Sequence, residues 1–322
     1  LVETMSPIEF RAIAYPDTFS EREGGKPGGR HLEVTPLACT VGRWDEIMWC
    51  GPEPFVAISD LLEVGMHRFG SPVETPSILE RISKGLIAGG AGLIAGLLAG
   101  CDASGVLRRN RHRVIELSPD HAGVTVTAQT AEGTSTITAR HGVIVASGGF
   151  EWDAELANRH IPIVAGHPGS PPSGRGDALS LLGALGADMM SLHRSWSWPM
   201  IEIPDRTWAD GTPKNQLVFS EKLMPHSLWV DERGRRFVNE SCHNVALSFD
   251  VVDPSSHRRR TQRMWAIVDS QFRDRYTLAG SRPDQALPRN VVSAASIDEL
   301  ATLVDVPAGA LVDTVERFNA DA

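Results

Sequence analysis

Two short stretches carry residues placed to meet a ligand. The first is Ser147-Gly148-Gly149, which follows the unbroken apolar run Val143-Ile144-Val145-Ala146. A run apolar on both faces belongs in the middle of a covered sheet, and glycines at its carboxyl end let the backbone come close to a bound molecule. The second is Asp177, set off by Gly174-Arg175-Gly176 at the start of a helix that runs through Leu185 and stops at Gly186. A carboxylate there complements the helix dipole, and its oxygens also accept hydrogen bonds from a ligand hydroxyl or ring N–H. Locally, Asp177 reads either as a plain helix cap or as a ligand contact.

Other patterns narrow the chemistry. Gly24-Gly25-Lys26-Pro27-Gly28-Gly29-Arg30 resembles a phosphate loop only in its glycines, because it lacks the GK[ST] ending and no helix follows. It reads as a surface loop. Cys39, Cys50, Cys101 and Cys242 lie far apart without metal-ligand spacing. We therefore expect no metal site and no disulfide scaffold, and a reducing cytoplasm as the compartment. The chain has 31 Lys plus Arg against 40 Asp plus Glu, a net charge of −9 over 322 residues. That balance offers nothing to a phosphate backbone, so nucleic acid is excluded as the main partner. The uncharged run from Gly85 to Cys101 is at the short limit of a membrane span and is bounded by Lys84 and Asp102. We expect a buried helix on a sheet, with Gly92, Gly96 and Gly100 letting a neighbour approach closely, and no transmembrane segment.

The elements that must position these residues follow from pattern. Residues 1–80 are rich in Pro and Gly and read as irregular. Strands are expected at Arg113–Leu117, Val124–Ala128 and Ser135–Ala139, the last two joined as a hairpin through Glu132-Gly133, and then at Gly142–Ala146. The composition changes around Trp196, Trp198, Pro199 and Trp208, which puts a domain boundary near residue 200. Beyond it, Ser227–Val230 and Arg235–Glu240 read as two arms of a hairpin around Asp231-Glu232-Arg233-Gly234, and Met264–Val268 as a strand. Ser296-Ile297-Asp298-Glu299 is a capping box, and Pro307–Phe318 is amphipathic, with Leu311, Val315 and Phe318 on one face. The basic run His257-Arg258-Arg259-Arg260 reads as a solvated loop.

Taken in order, the meander ending in VIVASGGF, then GRGDAL opening a helix, then GRRFVNE, resembles the flavoprotein subunits of fumarate reductase and succinate dehydrogenase. The 3-ketosteroid dehydrogenase branch is the closer match, through Ser195-Trp196-Ser197-Trp198-Pro199 and the glycine loop near Gly28. The resemblance covers about Tyr15 to Asn319. It implies an α/β chain: a partial Rossmann-like FAD-binding domain with a three-stranded β-meander over 1–200, and an α+β substrate-capping domain over 201–322. It also implies a fragment, with the GxGxxG unit expected before Leu1 and a closing segment after Ala322.

The same resemblance implies FAD as cofactor. The strand at Val114 would give backbone contact to its adenosine end, Ala146-Ser147-Gly148 would approach it after the central strand, and Asp177 would contact its ribityl chain or ring. Flavin dehydrogenation moves a hydride between a substrate carbon and flavin N5, and a nearby acid or base handles the proton. The family's acid position falls on Asn244, which cannot exchange a proton near neutral pH. Its neighbour His243 is the adjacent titratable group, an imidazole of the kind suited to proton transfer. Glu221 is a second candidate; His193 and His226 are weaker. The expected activity is CH–CH oxidoreduction of a hydrophobic ketone such as a 3-ketosteroid, with an external electron acceptor. A reductase of a small unsaturated acid, of fumarate or urocanate type, and a non-catalytic flavin-binding module are the alternatives.

Overall fold

In the computed structural model, which describes residues 1–38, 54–66, 73–161, 168–255, 257–259, 261 and 263–321, the chain forms two compact units. One contains Leu1–Val106, Trp198–Arg206 and Asn215–Ala322; the other contains Leu107–Ser197 and Thr207–Lys214.

The amino-terminal part of the first unit is more ordered than its composition suggests. It holds α1 (Val2–Met5), β1 (Phe10–Ile13), β2 (His31–Val34), β3 (Leu37–Ala38), α2 (Ile58–Val64), α3 (Pro76–Lys84), β4 (Leu86–Ile87) and α4 (Gly89–Ala103). The expectation of an irregular start is corrected: β1 and β2 pair antiparallel, and so do β3 and β4. Gly24–Arg30 is indeed loop, the last part of the connection from β1 to β2. The uncharged run is not one helix, because Gly85 closes α3 in the left-handed conformation and Leu86–Ile87 form a strand before α4 begins. The glycine stripe of α4 is filled by its neighbours. A Cβ on Gly96 would lie 2.3 Å from Ile8 Cγ1, and one on Gly100 would lie 2.5 Å from the Met5 carbonyl oxygen. Among the described residues no helix is long and apolar enough to cross a membrane. Cys39 and Cys50 lie outside the described residues.

The second unit is built on β5 (Arg113–Asp120), β6 (Gly123–Thr130) and β7 (Gly133–Ala139), an antiparallel meander in that order. A register shift between Val114 and Glu116 marks a bulge in β5. Two helices follow, α5 (Ala154–His160) and α6 (Asp177–Ala184). The buried central strand expected at Gly142–Ala146 is not there. That stretch belongs to no sheet, and Ile144 is 95% exposed. Apolarity marks a segment as able to be covered, but a strand exists only beside another strand, and none lies next to it among the described residues. Among the described residues, the pairings of β1–β2, β3–β4 and β5–β6–β7 are all antiparallel, and no parallel sheet is formed there.

The rest of the chain carries the hairpin β8 (Met200–Thr207) and β9 (Pro213–Leu217), then α7 (Ser220–Leu223), β10 (Ser227–Asp231), a 3-10 helix (Val245–Asp250), β11 (Val252–Asp253), β12 (Arg258–Arg259), β13 (Met264–Val268), α8 (Ser270–Arg275), α9 (Ile297–Leu303) and α10 (Ala308–Asp321). β10, buried along its length, pairs antiparallel with β13, Ser227 opposite Val268. The expected return arm Arg235–Glu240 reduces to one bridge between Val230 and Arg236. The ladder stops because the Trp229 N–H donates to the Glu240 side chain at 2.9 Å, and that carboxylate is also gripped by Arg236. Leu228, Val230, Ala301, Val304, Val306 and Leu311 form a core under α9 and α10. Ser296 caps α9 by accepting the Glu299 N–H, and Val315 and Phe318 pack with Leu311 as their spacing predicts. Arg258 and Arg259 of the basic run are exposed but form β12.

Candidate functional site

The five residues expected to meet a cofactor all belong to the second unit. Asp177 is the first residue of α6, behind Gly176 in the left-handed conformation (φ +79). Its carboxylate is not a cap: it makes a two-point ion pair with Arg113, Nη2 to Oδ1 at 2.9 Å and Nε to Oδ2 at 3.2 Å. Arg113 opens β5 and precedes Val114, so this pair brings the Val114 strand end to Asp177. The Gly176 N–H donates to the Gly149 carbonyl at 3.0 Å, which ties the Ala146-Ser147-Gly148 stretch to the same place.

The two glycines of that stretch do different things. A Cβ on Gly149 would lie 2.5 Å from Glu151 Oε2, so this glycine makes room for Glu151, whose other oxygen accepts from Ser170 Oγ at 2.6 Å. Gly148, at φ +86, has nothing within 4 Å of where its Cβ would be. The open backbone is therefore at Gly148. No main-chain hydrogen bond among the described residues uses the N–H groups of residues 143–148.

His243, Asn244 and Glu221 lie in the first unit. His243 is half-buried, its ring edge-on to Phe19 (5.8 Å between centroids) and to Trp198 (5.9 Å). Trp198 is itself anchored by an indole N–H to the Val218 carbonyl at 3.2 Å. Asn244 is exposed and precedes the 3-10 helix, where its carbonyl accepts the Leu247 N–H at 3.0 Å. Glu221 sits in α7 and is 5% exposed. One of its carboxyl oxygens accepts the Ala279 N–H at 2.6 Å, and its main-chain carbonyl accepts from Ser227 Oγ and the Trp229 indole. Burial pushes the Glu221 carboxyl above its ordinary value, opposed only in part by the Ala279 hydrogen bond. Among the described residues no hydrogen bond joins Glu221 to His243.

Two residues were missed by sequence reasoning. Arg113 gave no signal of its own beyond standing next to Val114. Lys222, beside Glu221, is 2% exposed. Its ammonium donates to the Ser241 carbonyl at 3.1 Å and lies 4.9 Å from the centre of the Trp198 ring, and burial lowers its pKa. Lys222 and His243 thus share one indole. Arg236 is committed to the Glu240 carboxylate and lies over the Phe318 ring. Among the described residues no cluster of His, Cys, Asp and Glu is fit to hold a metal ion.

Residues 25–322 match the FAD binding domain family. The chain belongs to that family. Proteins similar to this chain include the 4-oxocyclohexanecarboxylate 2-dehydrogenase of Sinomonas cyclohexanicum, 29% identical over 96% of this chain and 54% of that protein. The 3-oxosteroid 1-dehydrogenase of Mycolicibacterium smegmatis is 28% identical over 98% of this chain and 60% of that protein. The crystal structure of the 3-ketosteroid delta1-dehydrogenase of Sterolibacterium denitrificans, in complex with 1,4-androstadiene-3,17-dione, shares the fold with a TM-score of 0.76 at 19% identity, over 98% of this chain and 61% of that one. The chain thus spans a little over half the length of the relatives it matches. Its own residues fit an FAD-binding member. The Gly148 backbone is open to a ligand, and the solvent-facing carboxylate of Asp177 keeps acceptor capacity beyond its two bonds to Arg113.

Proposed function

We propose that this chain is part of an FAD-dependent oxidoreductase acting on CH–CH groups of a hydrophobic ketone, a 3-ketosteroid or a smaller oxo-alicyclic compound, with an external electron acceptor. The observation that carries the reading is the convergence of Val114, Ser147-Gly148 and Asp177, through Arg113 and Gly176, in a chain of the FAD binding domain family. Bound FAD supplies a hydride acceptor at flavin N5. Cofactor contacts fall within residues 1–200. The Val114 main chain serves the adenosine end, the Ala146-Ser147-Gly148 backbone lies along the cofactor, and Asp177 accepts hydrogen bonds from a ribityl hydroxyl or a ring N–H.

Substrate capping falls within residues 201–322, where His243 takes or gives the substrate proton. Asn244 can orient a carbonyl but cannot titrate. Glu221 is a weaker acid–base candidate than His243, because its carboxyl is enclosed and bonded to Ala279. Reduction of a small unsaturated acid is disfavoured at Arg236, whose charge is already met by Glu240.

The test is direct. The protein purified under native conditions is expected to be yellow, to reduce a dye acceptor with 4-androstene-3,17-dione or 4-oxocyclohexanecarboxylate, and to lose at least about 100-fold in kcat in His243→Ala. A flavin-free protein refutes the cofactor assignment. Bound FAD with no turnover on either ketone returns the choice to the non-catalytic flavin module.

A further inference from the structure

Asp177 reaches its partner across 64 residues of sequence, and the partner is a planar fork rather than a point charge. We propose that Arg113 is a positioning residue of the flavin site, holding and neutralising the Asp177 carboxylate so that it accepts hydrogen bonds from FAD. The inference rests on the reading that Asp177 contacts the cofactor.

Geometry supplies the first argument. A carboxylate on the first turn of a helix is free to rotate. Arg113 Nη2 on Oδ1 and Nε on Oδ2 fix its plane, because the guanidinium offers two parallel donors at a set separation. Each carboxylate oxygen can accept about two hydrogen bonds, so one direction per oxygen stays free for a ligand donor.

Charge supplies the second. FAD carries an anionic pyrophosphate, and a bare carboxylate beside an anion is repelled. The Arg113 cation removes that repulsion while leaving the acceptor in place.

Exposure supplies the third. The Arg113 and Asp177 side chains are 69% and 36% exposed. An ion pair so open to water contributes little to folding, and its free edge faces outward, where a cofactor can reach it. The neighbouring pieces agree: Gly149 bonds Gly176 beside the pair, and the bulge after Val114 breaks the β5 ladder at the same end.

The experiment uses apoprotein titrated with FAD, with flavin fluorescence quenching giving Kd and thermal unfolding of the apoprotein read in parallel. Arg113→Ala is expected to weaken FAD binding about tenfold, the worth of one charge-assisted hydrogen bond, with the apoprotein Tm unchanged. Arg113→Lys should recover part of the loss, keeping the charge without the fork. In an Asp177→Asn background, Arg113→Ala should add little, because the two residues act as one unit. The proposal is overturned if Arg113→Ala leaves FAD affinity unchanged or tightens it while Asp177→Asn weakens it, or if affinity falls only in step with the Tm. If Asp177→Asn has no effect on Kd, the contact between Asp177 and FAD is itself refuted, and this inference goes with it.

Discussion

Asp60 with Arg81 and Asp177 with Arg113 are the same chemical pair in two settings. In the first unit, Arg81 Nη1 and Nη2 reach both oxygens of Asp60 at 2.6 and 2.5 Å, and Nη1 also reaches the Phe55 carbonyl at 2.5 Å. Asp60 accepts the Ala57 N–H as well, at 2.7 Å, and the two residues are 2% and 7% exposed. That pair is enclosed and welds α2 to α3. In the second unit the Arg113–Asp177 pair is open on its outer side. Residue type and bidentate geometry are shared, so they do not decide the role. Burial does: an enclosed pair has its charges bound to the fold, and an open one has acceptor capacity to spare.

The comparison breaks most visibly at the buried end. Arg81→Met leaves Asp60 charged in an enclosed site, and urea unfolding followed by circular dichroism should show a loss of about 3–5 kcal/mol. A loss below about 1 kcal/mol would erase the contrast between the two pairs.

Glu221 is a buried carboxyl with no ion pair among the described residues, and it sharpens the point through pH. Its folded pKa lies above the ordinary 4.5. The fold therefore favours its protonated form, and its stability contribution is full below about 4.5 and lost as pH rises through the folded value. Glu221→Gln should thus be more stable than the parent near pH 8, with the gap closing toward acid pH. A gap independent of pH would mean that the carboxyl does not titrate in this range.

A smaller effect is expected at Ala279, whose N–H meets that carboxyl and whose φ of +48 is in the left-handed region. Ala279→Gly should raise stability by about 1 kcal/mol, read as an upward shift in Tm. The smallest effect is the open pair: Arg113→Ala without cofactor should leave the Tm of the apoprotein unchanged.

Legibility in the sequence followed the range of the forces. The meander was readable because alternation over Val124–Ala128 and Ser135–Ala139 and the turn at Glu132-Gly133 are local. The caps of α9 and the stripe of α10 were readable for the same reason. The Gly92, Gly96 and Gly100 spacing correctly announced a close neighbour, but not that Ile8 and Met5 would be that neighbour. The hairpin expected after β10 failed because a side chain, Glu240, took the Trp229 N–H that a return strand would have used. The apolar run at 142–146 failed as a strand because pairing needs a partner that local pattern cannot supply. At the site, His243 was named before its surroundings, while Phe19, Trp198 and Lys222 meet around it only through folding.

The amino-acid sequence by itself determined which segments could be helices and which could alternate as strands, and it singled out Gly148, Asp177 and His243 as candidates. The tertiary structure alone decided that β10 pairs with β13, that Asp177 is held by Arg113, and that the Glu221 carboxyl is shut away against Ala279. Periodicity and capping act over a few residues and leave a mark in the chain, whereas burial and partner choice are properties of which distant segments meet, and no single segment carries them.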